Sequence, residues 1–172
     1  MEIARTTYTL EDVKSFFDEM QDHDRHVLAD RLERASMRLA EVGTRVKPGR
    51  GDGGEWSDHE VLAHIAGLSK YYGVMVHRIT SGKMSELSLL DAVNSRDGAI
   101  QQFSELEPAE LLRMALTDHQ RTVQTLRTAE PASLRRAVHV DDGSAMTAEE
   151  IARLPLTTHL ESHVDQLERS LG

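Results

Sequence analysis

The sequence predicts an all-α protein, a four-helix bundle, and three observations support that prediction. Apolar residues recur at helical spacing through four long stretches of the chain. Two of those stretches open with a capping-box pattern, Ser57 to Glu60 and Thr147 to Glu150. Aromatic residues make up only 4% of the chain, so the core must be mainly aliphatic, which suits helix packing better than a β-sandwich. A length of 172 residues suits a single domain over residues 1–172.

The first helical stretch begins near Thr9 and continues or restarts as far as Val42, where apolar residues still recur at helical spacing. Gly43 marks its end. Residues 44–55 contain several glycines and Pro48, so we expect a surface loop there.

The second helix has the strongest start signal in the chain. Ser57 is the expected N-cap, and Glu60 completes the capping box. Trp56 precedes the cap, where its ring can pack on Val61 across the first turn. Apolar residues then follow along one face until Gly82 ends the helix.

The third helical region spans about Ser88 to Ala129 and is interrupted just before Pro108, because the residue before a proline avoids the α conformation. The connector over residues 130–146 contains Asp141-Asp-Gly143, a turn sequence. Within it, Ala137–Val140 is a candidate short extended segment.

The fourth helix starts at the capping residue Thr147 and runs to about Leu171. Pro155 lies inside it and removes one backbone hydrogen bond, so we expect a kink over residues 151–155. That kink would lie one turn before His159.

Composition excludes several classes of function. A formal net charge of −9 argues against a nucleic-acid surface, which needs clustered cations. No apolar run approaches the ~20 residues that span a bilayer, and the N-terminus lacks the apolar stretch of a signal peptide, so we expect a cytoplasmic protein. The chain has no cysteine, which excludes disulfides, cysteine-based zinc sites and a protein thiol nucleophile.

His159 and His163 are the strongest candidate metal ligands among nine histidines. Four residues apart on a helix, their Cβ atoms lie about 5–6 Å apart, close enough for both rings to reach one metal ion. A catalytic zinc site needs a third protein ligand, and His64 on the second helix is the best candidate. Spacing alone is also compatible with a different interpretation. His159 and His163 would then be four residues apart by chance, and His64 would be a core histidine with a hydrogen-bond partner.

Other polar residues carry weaker signals. His59, beside the helix cap, is expected to be exposed, and His119 is isolated in the sequence. Asp165 and Gln166 either orient the metal ligands or face solvent. Asn94 either lines the bundle interior or lies on the helix surface.

Two motifs together resemble a known family. Trp56-Ser-x-x-Glu-Val-Leu-Ala-His64, followed by His159-x-x-x-His163-x-x-Gln166, is similar to the pattern of the DinB/YfiT-like metalloenzymes from about residue 20 to the end. The resemblance implies a four-helix bundle with a long crossover connection. It also implies a divalent metal, zinc or nickel, held by His64, His159 and His163. Many members of the family are homodimers.

A second resemblance concerns the N-terminal domain of the mycothiol-dependent maleylpyruvate isomerase branch. It rests on Ala63-His-Ile-Ala-Gly67 and on Asp91-Ala-Val-Asn94, which makes Asn94 a candidate cofactor-binding residue. That branch typically carries glutamate where this chain has His159. Related proteins transfer low-molecular-weight thiols, so the resemblance implies a thiol cofactor such as mycothiol.

The sequence therefore favours a metal-dependent enzyme acting on a small electrophilic molecule, either a thiol transferase or isomerase or a hydrolase. The nucleophile would be an external thiol or water, since the chain has no cysteine. Two other hypotheses stay open: a non-catalytic bundle that binds a metal or ligand, and a bundle with no metal. No residue is assigned a catalytic role, and neither nucleic acid nor membrane is expected as a partner.

Overall fold

The computed structural model describes residues 9–52, 55–88, 91, 93–94, 98 and 101–172. Within these residues the helices are α1 (Leu10–Gly43), α2 (Asp58–Thr80), α3 (Pro108–Thr128), α4 (Pro131–Leu134), α5 (Ala148–Ile151) and α6 (His159–Leu171). A π-helix, π1, covers Ala152–Thr158 and joins α5 to α6. The strands are β1 (Glu86–Leu87), β2 (Ala137–Val140) and β3 (Ala145–Thr147).

The four long units of the bundle are α1, α2, α3 and the continuous α5–π1–α6 stretch. Both α3 and α6 pack against α1 and α2, whereas α1 and α2 make few contacts with each other. The first two helices therefore lie diagonally opposite, so the chain changes sides of the bundle between the end of α1 and the start of α2. The largest fully buried side chains are mainly aliphatic and include Leu28, Leu32, Leu39, Leu62, Ile79, Leu111, Leu126 and Leu167. The predicted fold class, an all-α four-helix bundle, is confirmed.

Capping residues mark the start of three of the four long units. Thr9, Ser57 and Thr147 each accept a hydrogen bond from the backbone N–H three residues later, and the acidic side chain at that later position bonds back to the cap. These reciprocal bonds satisfy amide groups that a helix start leaves without partners. The two predicted capping boxes are present. The first helical stretch continues without a break from Leu10 to Gly43.

The connector between α3 and α5 contributes to a small three-stranded sheet. β2 pairs in parallel with β1 and antiparallel with β3, so the strand order is β1-β2-β3. Gly143 adopts φ +87° in the turn between β2 and β3, a conformation that favours glycine. The predicted extended segment over Ala137–Val140 is confirmed. The parallel partner Glu86–Leu87 was not predicted, because that pairing joins residues far apart in the sequence.

The predicted disturbance at Pro155 falls where the chain widens into π1, and Pro155 lies at the centre of that element. A kink over residues 151–155 stays a prediction. Thr157 and Thr158 donate their hydroxyl groups to the carbonyl oxygens five residues earlier, at 2.7 and 3.0 Å. These bonds replace part of the helical pattern that proline cannot complete. A wider turn also rotates every residue that follows, so π1 sets the direction of the α6 side chains.

No helix in the described ranges is both long enough and apolar enough to cross a membrane.

Candidate metal centre

Three half-buried histidines meet where α2 faces the start of α6. His64 lies two turns into α2, between the buried residues Ala63 and Ile65, while His159 and His163 occupy the first turns of α6. The centroid of the His64 ring is 5.2 Å from that of His159 and 4.9 Å from that of His163. The structure thus brings together all three residues that the sequence nominated.

The positions of the ring nitrogens suit one shared ion. One ligand nitrogen from each of His64, His159 and His163 lies within 4.8 Å of the other two. The Nε2 atoms of His159 and His163 are 2.8 Å apart. A tetrahedral ion with bonds of about 2.0–2.1 Å needs roughly 3.3 Å between its donor atoms. A small opening of the pair would therefore accommodate a metal, although metal ligation itself stays a prediction.

Gln166 orients the ring of His163 and selects the tautomer of the neutral imidazole. The Nδ1 atom of His163 lies 3.0 Å from the side-chain oxygen of Gln166, which can only accept a hydrogen bond. Nδ1 must therefore carry the hydrogen, and Nε2 presents a lone pair towards His159. The close approach of the two Nε2 atoms then places a hydrogen on His159 Nε2, and a bound metal would replace it. Metal binding should accordingly release or relocate a proton.

Arginines of α1 hold the outer face of α6. Arg31 pairs with Glu161, and Arg38 pairs with both Asp165 and Glu168. These pairs are partly exposed, so each contributes little to the free energy of unfolding. Their geometric effect is to turn the opposite face of α6, which carries the two histidines, towards α2.

The two residues that the sequence proposed as possible orienting groups thus have different partners. Gln166 bonds a candidate ligand, whereas Asp165 pairs with Arg38. We expect Gln166→Ala to weaken metal affinity by about 10- to 100-fold, because the bond that fixes the His163 ring is lost. Asp165→Ala is the matched control and should leave the affinity within about threefold. Competition titrations with a chelating indicator measure both, and equal affinities for the two variants would contradict this role of Gln166.

Trp56 is the neighbour of the site that sequence reasoning missed. The expected packing on Val61 stays a prediction, and the aromatic contacts of this ring are with His64 and His163. Its centroid lies 4.7 Å from that of His64, and 6.3 Å from that of His163 with the ring planes only 22° apart. Its position in the sequence offered a signal for this contact. Trp56 precedes the helix cap by one residue, and eight residues separate it from His64, which is about two helical turns.

The core side of the site is closely packed. A cavity of about 10 Å³ lies against His159 and His163, lined mainly by apolar groups that include Ile65, Leu68 and Leu156. That volume is at the lower limit for one water molecule. The space on this side of His159 and His163 is therefore too small for a substrate.

His119 is a second buried histidine and lies outside this cluster. Its side chain is 1% exposed. Nε2 is 2.6 Å from Ser69 Oγ, which donates its own hydrogen to the Ile65 carbonyl oxygen. Ser69 can therefore only accept from His119, so Nε2 carries the hydrogen. Nδ1 then accepts from the Ser36 hydroxyl at 3.1 Å. His119 is a neutral core histidine that links α1, α2 and α3.

The structure also shows the positions of two other residues that the sequence analysis considered. His59 was expected to be exposed but is half-buried. Both of its ring nitrogens have hydrogen-bond partners in neighbouring segments. Asn94 is helical and exposed. Its proposed contact with a cofactor stays a prediction.

The fold and the site together define a class of structure: a four-helix bundle with a cluster of three histidines between two of its helices. The sequence matches no family profile and no curated protein. Solved structures do match, and they identify other proteins with a similar fold.

The solved structures with a similar fold include an isomerase and a protein described as a probable hydrolase. A crystal structure of the mycothiol-dependent maleylpyruvate isomerase aligns with a TM-score of 0.64 and 17% identity, covering 85% of this chain and 60% of that one. A mutant of the isomerase gives a TM-score of 0.64 at 16% identity. YfiT from Bacillus subtilis, described as a probable metal-dependent hydrolase with an unusual four-helix bundle topology, has a TM-score of 0.55 and 15% identity. That alignment covers 99% of this chain and 94% of YfiT.

These likenesses establish the fold. The predicted resemblance to the DinB/YfiT-like bundle and to the isomerase is confirmed at that level. The chain spans 60% of the isomerase's length, and all three identities are below one fifth. Activity and substrate therefore do not transfer with the fold.

Proposed function

We propose that this protein is a metal-dependent enzyme in which His64, His159 and His163 hold a divalent metal ion, zinc or nickel. The observation that carries the proposal is the convergence of one ligand nitrogen from each ring within 4.8 Å, across two helices. Imidazole nitrogens suit both metals. Three protein ligands also leave one position of a tetrahedral ion for a substrate or nucleophile.

When bound, such an ion supplies a nucleophile at neutral pH by lowering the pKa of a thiol or water in that position. The chain contributes the rest. Gln166 keeps the hydrogen of His163 on Nδ1, so that Nε2 stays available. The closely packed side chains of the core keep bulk water from the inner side of the rings. The substrate class we propose is a small electrophilic molecule.

The nucleophile distinguishes two versions of the proposal. The name of the isomerase neighbour supports a mycothiol-type cofactor, and the description of YfiT supports water. A thiolate would have to come from a soluble cofactor, because the chain has no cysteine. Both versions enter the test below, because the similarity of the folds does not select the nucleophile.

We also propose a cytoplasmic homodimer. Apolar side chains in the first half of α1 support the dimer, since each is at least two-fifths exposed: Leu10, Val13, Phe16, Phe17 and Met20. Burial of such a stripe against a second copy would remove apolar area from water.

The test combines metal loading with two assays. Zinc- or nickel-loaded protein is incubated with mycothiol and monochlorobimane, and separately with p-nitrophenyl acetate without a thiol. We expect metal-dependent bimane conjugation that is lost in His159→Ala and retained in His139→Ala, an exposed histidine on β2. No conjugation by fully loaded protein would exclude the thiol version, and metal-dependent ester hydrolysis would then support water.

A non-catalytic metal-binding bundle gives a different result. In that case metal would raise the melting temperature, yet neither assay would show turnover. Such an outcome would contradict the enzymatic proposal while leaving the metal centre intact.

A further inference from the structure

We propose that Trp56 is a specificity-determining residue, forming an aromatic wall beside the open side of the metal centre and favouring ligands with a flat, π-conjugated group. This inference rests on the proposed metal site and adds the class of ligand that the site selects. It comes from the position of one exposed indole ring and from the way its loop is anchored.

Trp56 lies beside two of the candidate ligands. Towards the core, His159 and His163 face a cavity of only about 10 Å³. The centroid of the Trp56 ring is 4.7 Å from that of His64 and 6.3 Å from that of His163, yet the residue remains 54% exposed. A molecule bound to a metal on these histidines would therefore lie beside the indole.

The ring contacts more than a hydrophobic staple over the first turn of α2 would require. More than half of Trp56 is exposed. Its plane is within 22° of the His163 plane and tilted by 55° from that of His64. One face thus borders the imidazoles while a large part of the ring is left for a ligand.

Hydrogen bonds anchor described residues on both sides of Trp56 in the sequence. The Glu60 carboxylate accepts from the backbone N–H groups of Ser57 and Gly51, both at 2.8 Å. These two bonds hold the pKa of Glu60 below its ordinary value, so the carboxylate stays charged at neutral pH. The Ser57 hydroxyl also donates to the Gly49 carbonyl oxygen at 3.0 Å.

His59 ties the same loop to the segment that precedes α3. Its Nδ1 accepts from the Gly49 N–H at 3.2 Å, and its Nε2 donates to the Leu106 carbonyl oxygen at 2.8 Å. The loop is therefore bonded to α2 and to the approach to α3. An aromatic ring placed on so many anchors is preorganised for binding, which lowers the entropy cost of ordering it.

The chemistry of the ligand follows from the indole. An aromatic face favours offset stacking with another flat π system, and such pairs contribute beyond their buried area. A ligand whose metal-binding head occupies the open position would place its next atoms beside Trp56. Flat conjugated groups at that point should bind more tightly than small saturated ones.

The experiment uses two metal-binding probes that differ in that group. Benzohydroxamate and acetohydroxamate share one chelating head, and their affinities for the zinc-loaded full chain are measured by calorimetry. We expect wild type to prefer benzohydroxamate by about three- to tenfold beyond the ratio of the two affinities for free zinc. Trp56→Leu should lose that preference and Trp56→Phe should keep most of it. Met37→Ala, at an exposed apolar position on α1, is the control.

The outcomes separate this inference from the proposed function. Wild type that binds zinc but shows no preference overturns the role of Trp56 and leaves the metal centre standing. A preference that survives in Trp56→Leu overturns it as well. Wild type that binds no zinc overturns both. Metal content measured in every sample ensures that equally loaded proteins are compared.

Discussion

Replacement of His159 by alanine is expected to lower zinc or nickel affinity by more than about 100-fold, since loss of a direct ligand should exceed the 10- to 100-fold effect of losing an outer-shell partner. The nitrogens of His64 and His163 would remain close, but two imidazoles leave the ion with a weaker site. His64→Ala should have the same effect from the other helix.

The measurement uses the single tryptophan of the chain as its reporter. The indole of Trp56 is 4.7 Å from the His64 ring, so binding of a paramagnetic ion such as Ni²⁺ should quench its fluorescence. Titration should quench wild type and His139→Ala at one equivalent, whereas His64→Ala and His159→Ala should show no stoichiometric step. One equivalent of metal retained by both ligand variants would contradict the site.

The second large effect concerns pH and the free energy of unfolding. Burial lowers the pKa of His119 from an ordinary value near 6.5 to about 4. Below pH 6.5 the unfolded chain therefore binds a proton that the folded chain excludes, and stability falls. The loss should approach about 1.4 kcal/mol per pH unit and end near pH 4, for a total of about 3 kcal/mol. Above pH 6.5 this contribution is fully present.

Urea unfolding of the metal-free protein between pH 7.5 and 5 tests this prediction. Several carboxyl groups have a lowered pKa, including those of Glu60 and Glu168, so their contribution is lost below the usual carboxyl range. The window from pH 6.5 to 5 therefore isolates histidine. His119→Gln removes the titrating ring and keeps an amide that can bond Ser69. The variant should lose about 2 kcal/mol less than wild type across that window, whereas parallel pH profiles would show that His119 does not exclude the proton.

Local signals in the sequence predicted most of the helical framework. The caps at Ser57 and Thr147 depend on residues only three positions apart, so their hydrogen bonds can be inferred without knowing the fold. The break before Pro108 is equally local, and the proline occupies the first turn of α3. The parallel pairing of β1 with β2 was not predictable in this way, because nothing local specifies it.

The site was predictable only in part. The spacing of His159 and His163 follows from helix geometry, whereas their meeting with His64 depends on how α6 packs on α2. The need for a third ligand made His64 the best candidate, the resemblance to known proteins implied the same residue, and the structure supplied the geometry. The form of π1 escaped prediction because it depends on how Thr157 and other side chains satisfy the carbonyls around a proline.

Isolated residues were the hardest to interpret. His119 has no neighbour in the sequence that reveals its burial, and its partners Ser36 and Ser69 lie on two other helices. The role inferred for Trp56 likewise depends on the approach of α6 to α2. Both assignments needed tertiary contacts.

A crystal structure of metal-soaked protein with anomalous scattering tests the central claim most directly. The account predicts one strong anomalous peak within about 2.0–2.3 Å of a nitrogen from each of His64, His159 and His163, with a remaining position that faces Trp56. A fully loaded crystal in which the peak lies elsewhere, or in which the ion contacts fewer than two of these rings, would contradict it.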